Sequence, residues 1–365
     1  MSNSANELMI LPSTKRRRRD SDNQDRSSDL PDDVILHILS FLNTKEAVQT
    51  CLLLSPRWKC LWKTIFPLIL HSSDFCTKKH FATFVSKILT LRDTKTALHA
   101  LDLHRPGNIE PHLLKKVLNY VDSHNTQIQQ LAINFIADSY PILSCVSKCR
   151  ALTSLKLHVS NKSLDSVGET LFPESLNLPS LTSLDLAYFI FCASDNADRA
   201  EPFLAFSSLH SLTIAYCTIR DAPILSISNG TLVNLTMNNN SYAFTKIELF
   251  TPSLYTFSFY GTHYYPLCGS GLSSVKQIDI DVPMSPRFEI ILSWLQDFAN
   301  VKSLTINITT LKILSEVPDL FKDKPHFLCN LESLKVRAAT IPKRIIDFLR
   351  QNLPNAKVDM IDHRT

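Results

Sequence analysis

Two aspartates and two histidines occupy positions from which their side chains could take part in acid/base catalysis. Asp279 and Asp281 occupy alternate positions of an expected strand, so both carboxylates face one side, where they could act as an acid/base pair. His104 and His158 each follow another expected strand. An exposed polar residue is the ordinary occupant of such positions, so the pattern favours no catalytic residue among these four.

The cysteines and glycines give no sign of a metal site or a nucleotide cradle. The nine cysteines are scattered, no CxxC occurs, and Cys145 and Cys149 form the closest pair. This indicates reduced thiols that pack as small hydrophobes inside a cell. The sequence contains no HExxH, GxSxG or calcium-loop motif, and its six glycines form no GxGxxG or P-loop. We therefore expect a non-enzymatic protein without cofactor or metal.

The charge balance argues against a nucleic-acid partner, and the distribution of apolar residues argues against a membrane. A net charge of +4 over 365 residues is too mild for an electrostatic nucleic-acid binder. Neither a signal-peptide core nor an apolar run long enough to span a membrane occurs.

Residues 1–27 are polar and are expected to form a disordered tail with a basic run. The run is Lys15, Arg16, Arg17, Arg18 and Arg19. It fits a nuclear-import signal and fits a solvated charge run equally well. The expected location is the nucleus, the cytoplasm or both.

The sequence pattern of residues 30–62 predicts three short helices. The first starts at Pro31, which suits the first helical position. Thr44 is expected to cap the second helix, and Ser55–Pro56 to open the third. So small a unit cannot cover every apolar position of its first helix, and the surplus apolar face needs a partner.

The same segment resembles an F-box. The resemblance is carried by Leu30–Leu42 (LPDDVILHILSFL), by Ala47–Val48 and by Leu54–Trp62 (LSPRWKCLW), whose ending is typical of plant F-box proteins. It implies docking to a Skp-type adaptor and, through the adaptor, to a cullin-based ubiquitin ligase.

The expected adaptor contacts come from all three predicted helices. They are Leu30, Pro31, Ile35, Ile38, Leu39, Val48, Leu52, Trp58 and Trp62. For the two tryptophans, burial as plain core is a second interpretation, and one aromatic ring can serve both purposes in so small a unit.

A helix is predicted between this segment and the rest of the chain. Phe81, Phe84, Val85, Ile88 and Leu89 follow helical spacing and would form one apolar stripe.

From residue 98 onward, an L-x-x-L-x-L pattern recurs ten times. Its middle residues are Leu101, Leu131, Leu155, Leu184, Leu212, Leu235, Phe257, Ile278, Leu304 and Leu334. They lie 21–30 residues apart, which is typical of leucine-rich repeats. Each copy predicts one strand with its apolar residues inward, and neighbouring copies must stack into a curved solenoid. Intervals near 30 leave room for a helix, as in 109–123, whereas those of 21–23 allow only extended or irregular returns.

The repeats also resemble the plant F-box, FBD and leucine-rich-repeat family. Pro179–Leu184 and Phe259–Gly261 match that family's repeat style, and Cys329–Leu334 resembles its closing FBD segment. A single amphipathic helix around Ile345 then follows, so we interpret the last region as a terminal capping repeat.

The predicted fold class is α/β, with a small three-helix F-box followed by a curved parallel sheet of about ten repeats. The predicted domains are a disordered tail (1–27), the F-box (28–70), a connecting helix (71–97) and the solenoid (98–365), with an FBD-like cap from about 325.

Outward residues of the strands are expected to bind the target. They include Lys156, His158, Asp185, Tyr260, Asp279, Asp281, Lys335 and Arg337. Tyr260 beside the two acids is the best anchor candidate, since aromatic residues dominate interface hot spots. The alternative is that these residues are ordinary soluble surface.

These patterns predict the substrate-recognition subunit of a Skp-cullin-F-box ubiquitin ligase, in which the repeats bind a target protein. The alternative is a leucine-rich-repeat scaffold or small-ligand sensor that acts without a ligase.

Overall fold

The structure is a computed structural model. The residues it describes are 30–54, 57–93, 96–160, 170–173, 176–193, 198–239, 245–261, 265–270, 272–282, 288–298, 300–316, 330–353 and 356–362. The basic run at 15–19, the predicted opening of the third helix at 55–56 and the predicted start of the cap near 325 lie outside them. Residues 1–137 and 141–152 form one unit, and residues 138–140 and 153–365 form a second.

The helices of the described residues are these: α1 Asp32–Leu39, α2 Thr44–Leu54, α3 Lys78–Leu91, α4 Pro111–Ser123, α5 Tyr140–Val146, α6 Phe288–Asp297, α7 Ile308–Glu316 and α8 Lys343–Asn352. Short 3-10 helices span Trp58–Thr64, Ser72–Asp74 and Leu272–Ser274.

The beginnings of α1 and α2 differ from the sequence prediction. Pro31 is the residue before α1 rather than its first helical residue, and its carbonyl accepts the first helical hydrogen bonds. The prediction that Thr44 caps α2 is wrong, because Asn43 Oδ1 accepts the Glu46 amide hydrogen bond at 2.9 Å. Thr44 is instead buried as the first helical residue, and its hydroxyl oxygen accepts from the backbone N–H of Ile69.

The helix predicted from the spacing of residues 81–89 is confirmed as α3. Its buried residues are Phe81, Phe84, Val85, Ile88 and Leu89, the apolar stripe that the spacing predicted. Thr77 caps its first turn by accepting from the His80 amide.

The described residues of the first unit include three parallel strands of one sheet. They are β1 Pro67–His71, β2 Ala100–Asn108 and β3 Gln130–Ile136. Leu101 of β2 is in register with Leu68 on one side and with Leu131 on the other, so the inward leucines of adjacent strands form a continuous row. β1 was not predicted.

The strands of the second unit are β4 Ser154–Ser160, β5 Ser183–Ala187, β6 Ile190–Cys192, β7 Arg199–Ala200, β8 Ser211–Ala215, β9 Thr218–Arg220, β10 Ile224–Ser228, β11 Asn234–Asn239, β12 Lys246–Phe250, β13 Thr256–Gly261, β14 Leu267–Ser270, β15 Gln277–Asp281, β16 Ser303–Asn307, β17 Ser333–Arg337 and β18 Lys357–Ile361.

The main sheet of this unit is parallel, in the order β4-β5-β8-β11-β13-β15-β16-β17-β18. Leu155, Leu184 and Leu212 are in register on successive strands, and each is 1% exposed. All ten predicted repeat strands are therefore present across the two units, with their apolar residues buried. The leucine-rich, solenoid-like part of the fold prediction is confirmed.

The returns of the shortest repeats are extended, as their length predicted. β10, β12 and β14 lie in these returns and join β7 in a second parallel sheet, in the order β14-β12-β10-β7. At the end of the chain α8 confirms the predicted amphipathic helix. The strand β18 that follows it, paired with β17, was not predicted.

Candidate interaction surfaces

The core of the F-box module is filled by its own side chains. Five of the predicted adaptor contacts lie in this core, each at most 4% exposed: Ile35, Leu39, Val48, Trp58 and Trp62. The core interpretation of both tryptophans is thus confirmed. Pro31 and Ile38 are exposed, and Leu30 and Leu52 are partly exposed.

Five large apolar side chains of α1, α2 and the turn after α1 remain exposed. Their exposed fractions are 42% for Val34, 45% for Ile38, 76% for Phe41, 73% for Leu53 and 47% for Leu54. We call these five residues the apolar F-box face. Val34, Ile38 and Phe41 follow helical spacing of four and three residues, which places them along one side of α1 and its last turn.

An ion pair joins α1 to the chain that follows α2. Arg57 Nη2 lies 2.5 Å from the Oδ1 atom of Asp32, in the first turn of α1. Sequence reasoning selected only Ile38 of the apolar F-box face. The spacing of Val34, Ile38 and Phe41 was the signal that identifies the others on α1.

On the outward face of the main sheet, one predicted cluster is internally paired. Asp185 Oδ2 lies 3.0 Å from Lys156 Nζ, and Asp185 Oδ1 lies 2.8 Å from His158 Nε2. Burial alone would raise the pKa of Asp185, but the hydrogen bonds from His158 and Lys156 outweigh it and hold that pKa below its usual value. The carboxylate is therefore already satisfied within the chain.

Arg337 contacts the residues of a second predicted cluster. Its Nη1 and Nη2 atoms donate to the two carboxylate oxygens of Asp279 at 2.6 and 2.7 Å, and its side chain is only 7% exposed. Tyr260 donates its hydroxyl to Asp279 at 2.9 Å, and the Arg337 guanidinium lies 5.8 Å from the Tyr260 ring centre. Asn307 donates to Asp281 at 2.9 Å. We call these five residues the Arg337 cluster.

The pKa values of the cluster follow from these contacts. The hydrogen bond to Asp279 raises the pKa of Arg337, and burial followed by the Asp279 charge raises that of Tyr260. Of the two acids that could have acted as a carboxylate pair, Asp279 is thus bound to a cation, and Asp281 lies 4.0 Å from the same guanidinium. Lys335, the remaining predicted member of the target face, is exposed on the same strand as Arg337.

Among the residues that the structure describes, no group of three or more His, Cys, Asp or Glu side chains could hold a metal ion. No helix in this part of the chain is both long enough and apolar enough to cross a membrane.

A small helical module and a run of stacked leucine-rich strands define a leucine-rich-repeat protein with a helical module before the repeats. The F-box domain family matches residues 27–69. Over most of its length the chain is also similar to proteins of Arabidopsis thaliana. An F-box/FBD/LRR-repeat protein is 28% identical, covering 88% of this chain and 70% of its own length.

Two other relatives extend the comparison. An FBD-associated F-box protein is 24% identical over 94% of this chain and 78% of its own length. An F-box/LRR-repeat protein is 28% identical over 85% and 71%, respectively. The F-box match and these relatives confirm the predicted resemblance to plant F-box/FBD/LRR-repeat proteins.

Proposed function

We propose that this chain is the substrate-recognition subunit of a Skp-cullin-F-box ubiquitin ligase. Its F-box would bind a Skp-type adaptor and, through the adaptor, a cullin, while its repeats bind a target protein. The apolar F-box face is the observation that carries the proposal.

This face calls for a partner on physical grounds. The module's own core already contains Ile35, Leu39 and both tryptophans, so the exposed side chains are surplus to its folding. Clustered apolar side chains of this size on a small module mark interaction sites, because leaving them in water costs free energy that a partner surface recovers.

The proposed role requires no catalytic side chain. With its F-box bound to the adaptor and its repeats bound to the target, the chain would hold the target near a ubiquitin-charged enzyme elsewhere in the assembly. Tethering turns a rare encounter into an intramolecular one at high effective concentration.

Co-purification with a Skp-type adaptor tests the proposal. We expect the wild-type chain to capture the adaptor, and Ile38→Asp and Phe41→Asp each to abolish capture, since a carboxylate would be buried at the interface without a counter-charge. Both residues are exposed, so neither substitution disturbs the module's core.

The matched control is Leu204→Asp, at a leucine that is 65% exposed in the second unit. It should capture the adaptor as the wild type does. Failure of the wild type to capture the adaptor, or equal capture by all four chains, would contradict the proposal.

A further inference from the structure

Tyr188 and Tyr216 have an unusual backbone conformation at the ends of β5 and β8. Their φ angles are 69° and 53°, in the left-handed region that bulky side chains rarely adopt. Their rings stack at a centroid distance of 5.3 Å and an interplanar angle of 9°. They nevertheless remain 46% and 39% exposed. Two large aromatic rings are thus held on the surface in a conformation that is unfavourable for tyrosine.

The same position of the following repeats holds residues that suit such a backbone. Ala187 is in register with Ala215, so Tyr188 and Tyr216 are equivalent. Along the sheet, Asn239 and Gly261 pair at the corresponding position, and Gly261 has a φ of 145°. Asparagine and glycine are the residues that adopt positive φ at least cost. The fold of the repeats therefore does not explain why tyrosine, rather than asparagine or glycine, occupies these two positions.

The strip of sheet beside the tyrosines is uncharged. It consists of Thr213, Thr236, Asn238 and Ser258, which lie on β8, β11 and β13. We call these four residues the neutral strip.

The charged residues around the strip are already paired. Asp185 is paired with Lys156 and His158, and the Arg337 cluster is closed by its own ion pairs. Asp221, close to Tyr216 in the chain, lies 3.4 Å from Arg220. A charged ligand would find no free counter-charge among these groups.

We propose that Tyr188 and Tyr216 are the docking platform for an extended, uncharged, proline-containing segment of the target protein that runs beside the neutral strip. This inference rests on the proposed function, because it assigns target binding to the repeats. Proline rings stack on aromatic faces, and a polyproline helix is already extended before it binds, so little conformational entropy is lost. A basic segment would need a free acid here, and a single nucleic-acid strand would need a basic track.

A random peptide library displayed on phage and selected on the immobilised full-length chain provides the probe. We expect selection of uncharged peptides that contain proline. For the selected peptides, Tyr188→Asn and Tyr216→Asn should each weaken binding about tenfold, as measured by fluorescence anisotropy. Asparagine tolerates positive φ, so both variants should retain the wild-type melting temperature.

Tyr255→Asn is the matched control. Tyr255 is a surface tyrosine, 44% exposed, that precedes β13 at the opposite ends of the strands and has no positive φ. It should leave peptide affinity unchanged. The proposal fails if the selection yields no peptide, if the selected peptides are rich in charge, or if the two variants bind as tightly as the wild type.

Adaptor capture by the same variants separates this inference from the proposed function. Lost peptide binding with normal adaptor capture supports the platform. Normal adaptor capture with unaffected peptide binding overturns the platform alone, whereas a wild-type chain that captures no adaptor overturns the proposed function.

Discussion

Arg337 connects residues that are far apart in sequence, and its contacts decide what the outward face of the main sheet can do. Its guanidinium binds Asp279, 58 residues earlier, across the intervening strand β16. A planar guanidinium matches a carboxylate through two parallel hydrogen bonds, which a lysine cannot reproduce. The Arg337 cluster is therefore better suited to holding four strands together than to binding an acidic or basic target.

This interpretation predicts a stability effect. Replacing Arg337 by Ala leaves Asp279 largely buried without its cation, so we expect the free energy of unfolding to fall by about 3 kcal/mol in urea denaturation. Lys335→Ala, on the same strand but at an exposed position, should change it by less than about 0.5 kcal/mol. Arg337→Lys should lie between the two. Equal effects at 335 and 337 would show that the cluster contributes nothing.

For single residues, the sequence predicted the face of the sheet on which each side chain lies, but not which side chains contact one another. Alternation along each strand placed Tyr260, Asp279 and Arg337 on the outward face, where the structure has them. Their mutual contacts depend on the register of strands that are tens of residues apart, which a single strand's pattern does not contain. The left-handed backbone of Tyr188 and Tyr216 could not be predicted either, since a positive φ is not expected for tyrosine.

At the element scale, the second sheet depends on one glycine of β14. Gly269 has a φ of 145°, and a Cβ added to it would lie 1.8 Å from the carbonyl oxygen of Leu249 on β12. Only a residue without a side chain permits the two backbones to approach this closely. The return of that repeat can thus pair as a strand only with glycine at this position.

Gly269→Ala is therefore expected to lower the free energy of unfolding by about 3 kcal/mol or more, because both the backbone conformation and the contact with Leu249 become unfavourable. Gly230→Ala is the matched control, since nothing lies within 4 Å of its added Cβ. It should be neutral or slightly stabilising, by at most about 1 kcal/mol. Urea denaturation of the two variants measures the difference. Equal stability of the two would mean that the β12–β14 contact is not required.

The elements themselves were largely predictable. The ten repeat strands follow from leucine spacing alone, because inward residues of stacked strands must be apolar at fixed positions. β1 carries the same signal, since Ile65, Leu68 and Leu70 have the L-x-x-L-x-L spacing and are buried. β18 does not carry it, because Val358 and Met360, which pair with the inward Leu334 and Val336, are exposed. The leucine spacing is therefore absent from the strand whose inward side chains are not buried.

At the scale of the whole molecule, the proposed activity depends on two surfaces with different chemistry on one chain. The apolar F-box face would bind the adaptor, and the tyrosine platform would bind the target. Each belongs to a separate unit with its own core, so each can be disabled without unfolding the other. Sequence patterns indicated the first surface through its surplus apolar residues, whereas the second required the coordinates.

Complementation tests whether the two surfaces must share a chain. A selected peptide fused to a fluorescent protein serves as the target in a reconstituted ubiquitination assay with the adaptor, the cullin and their enzymes. The wild-type chain should modify this target. An equimolar mixture of Ile38→Asp and Tyr188→Asn/Tyr216→Asn chains should not, because neither chain alone holds the target at high effective concentration near the enzyme. Full activity of the mixture would show that binding by one chain does not have to be coupled to docking by the same chain, and the tethering mechanism would then be wrong.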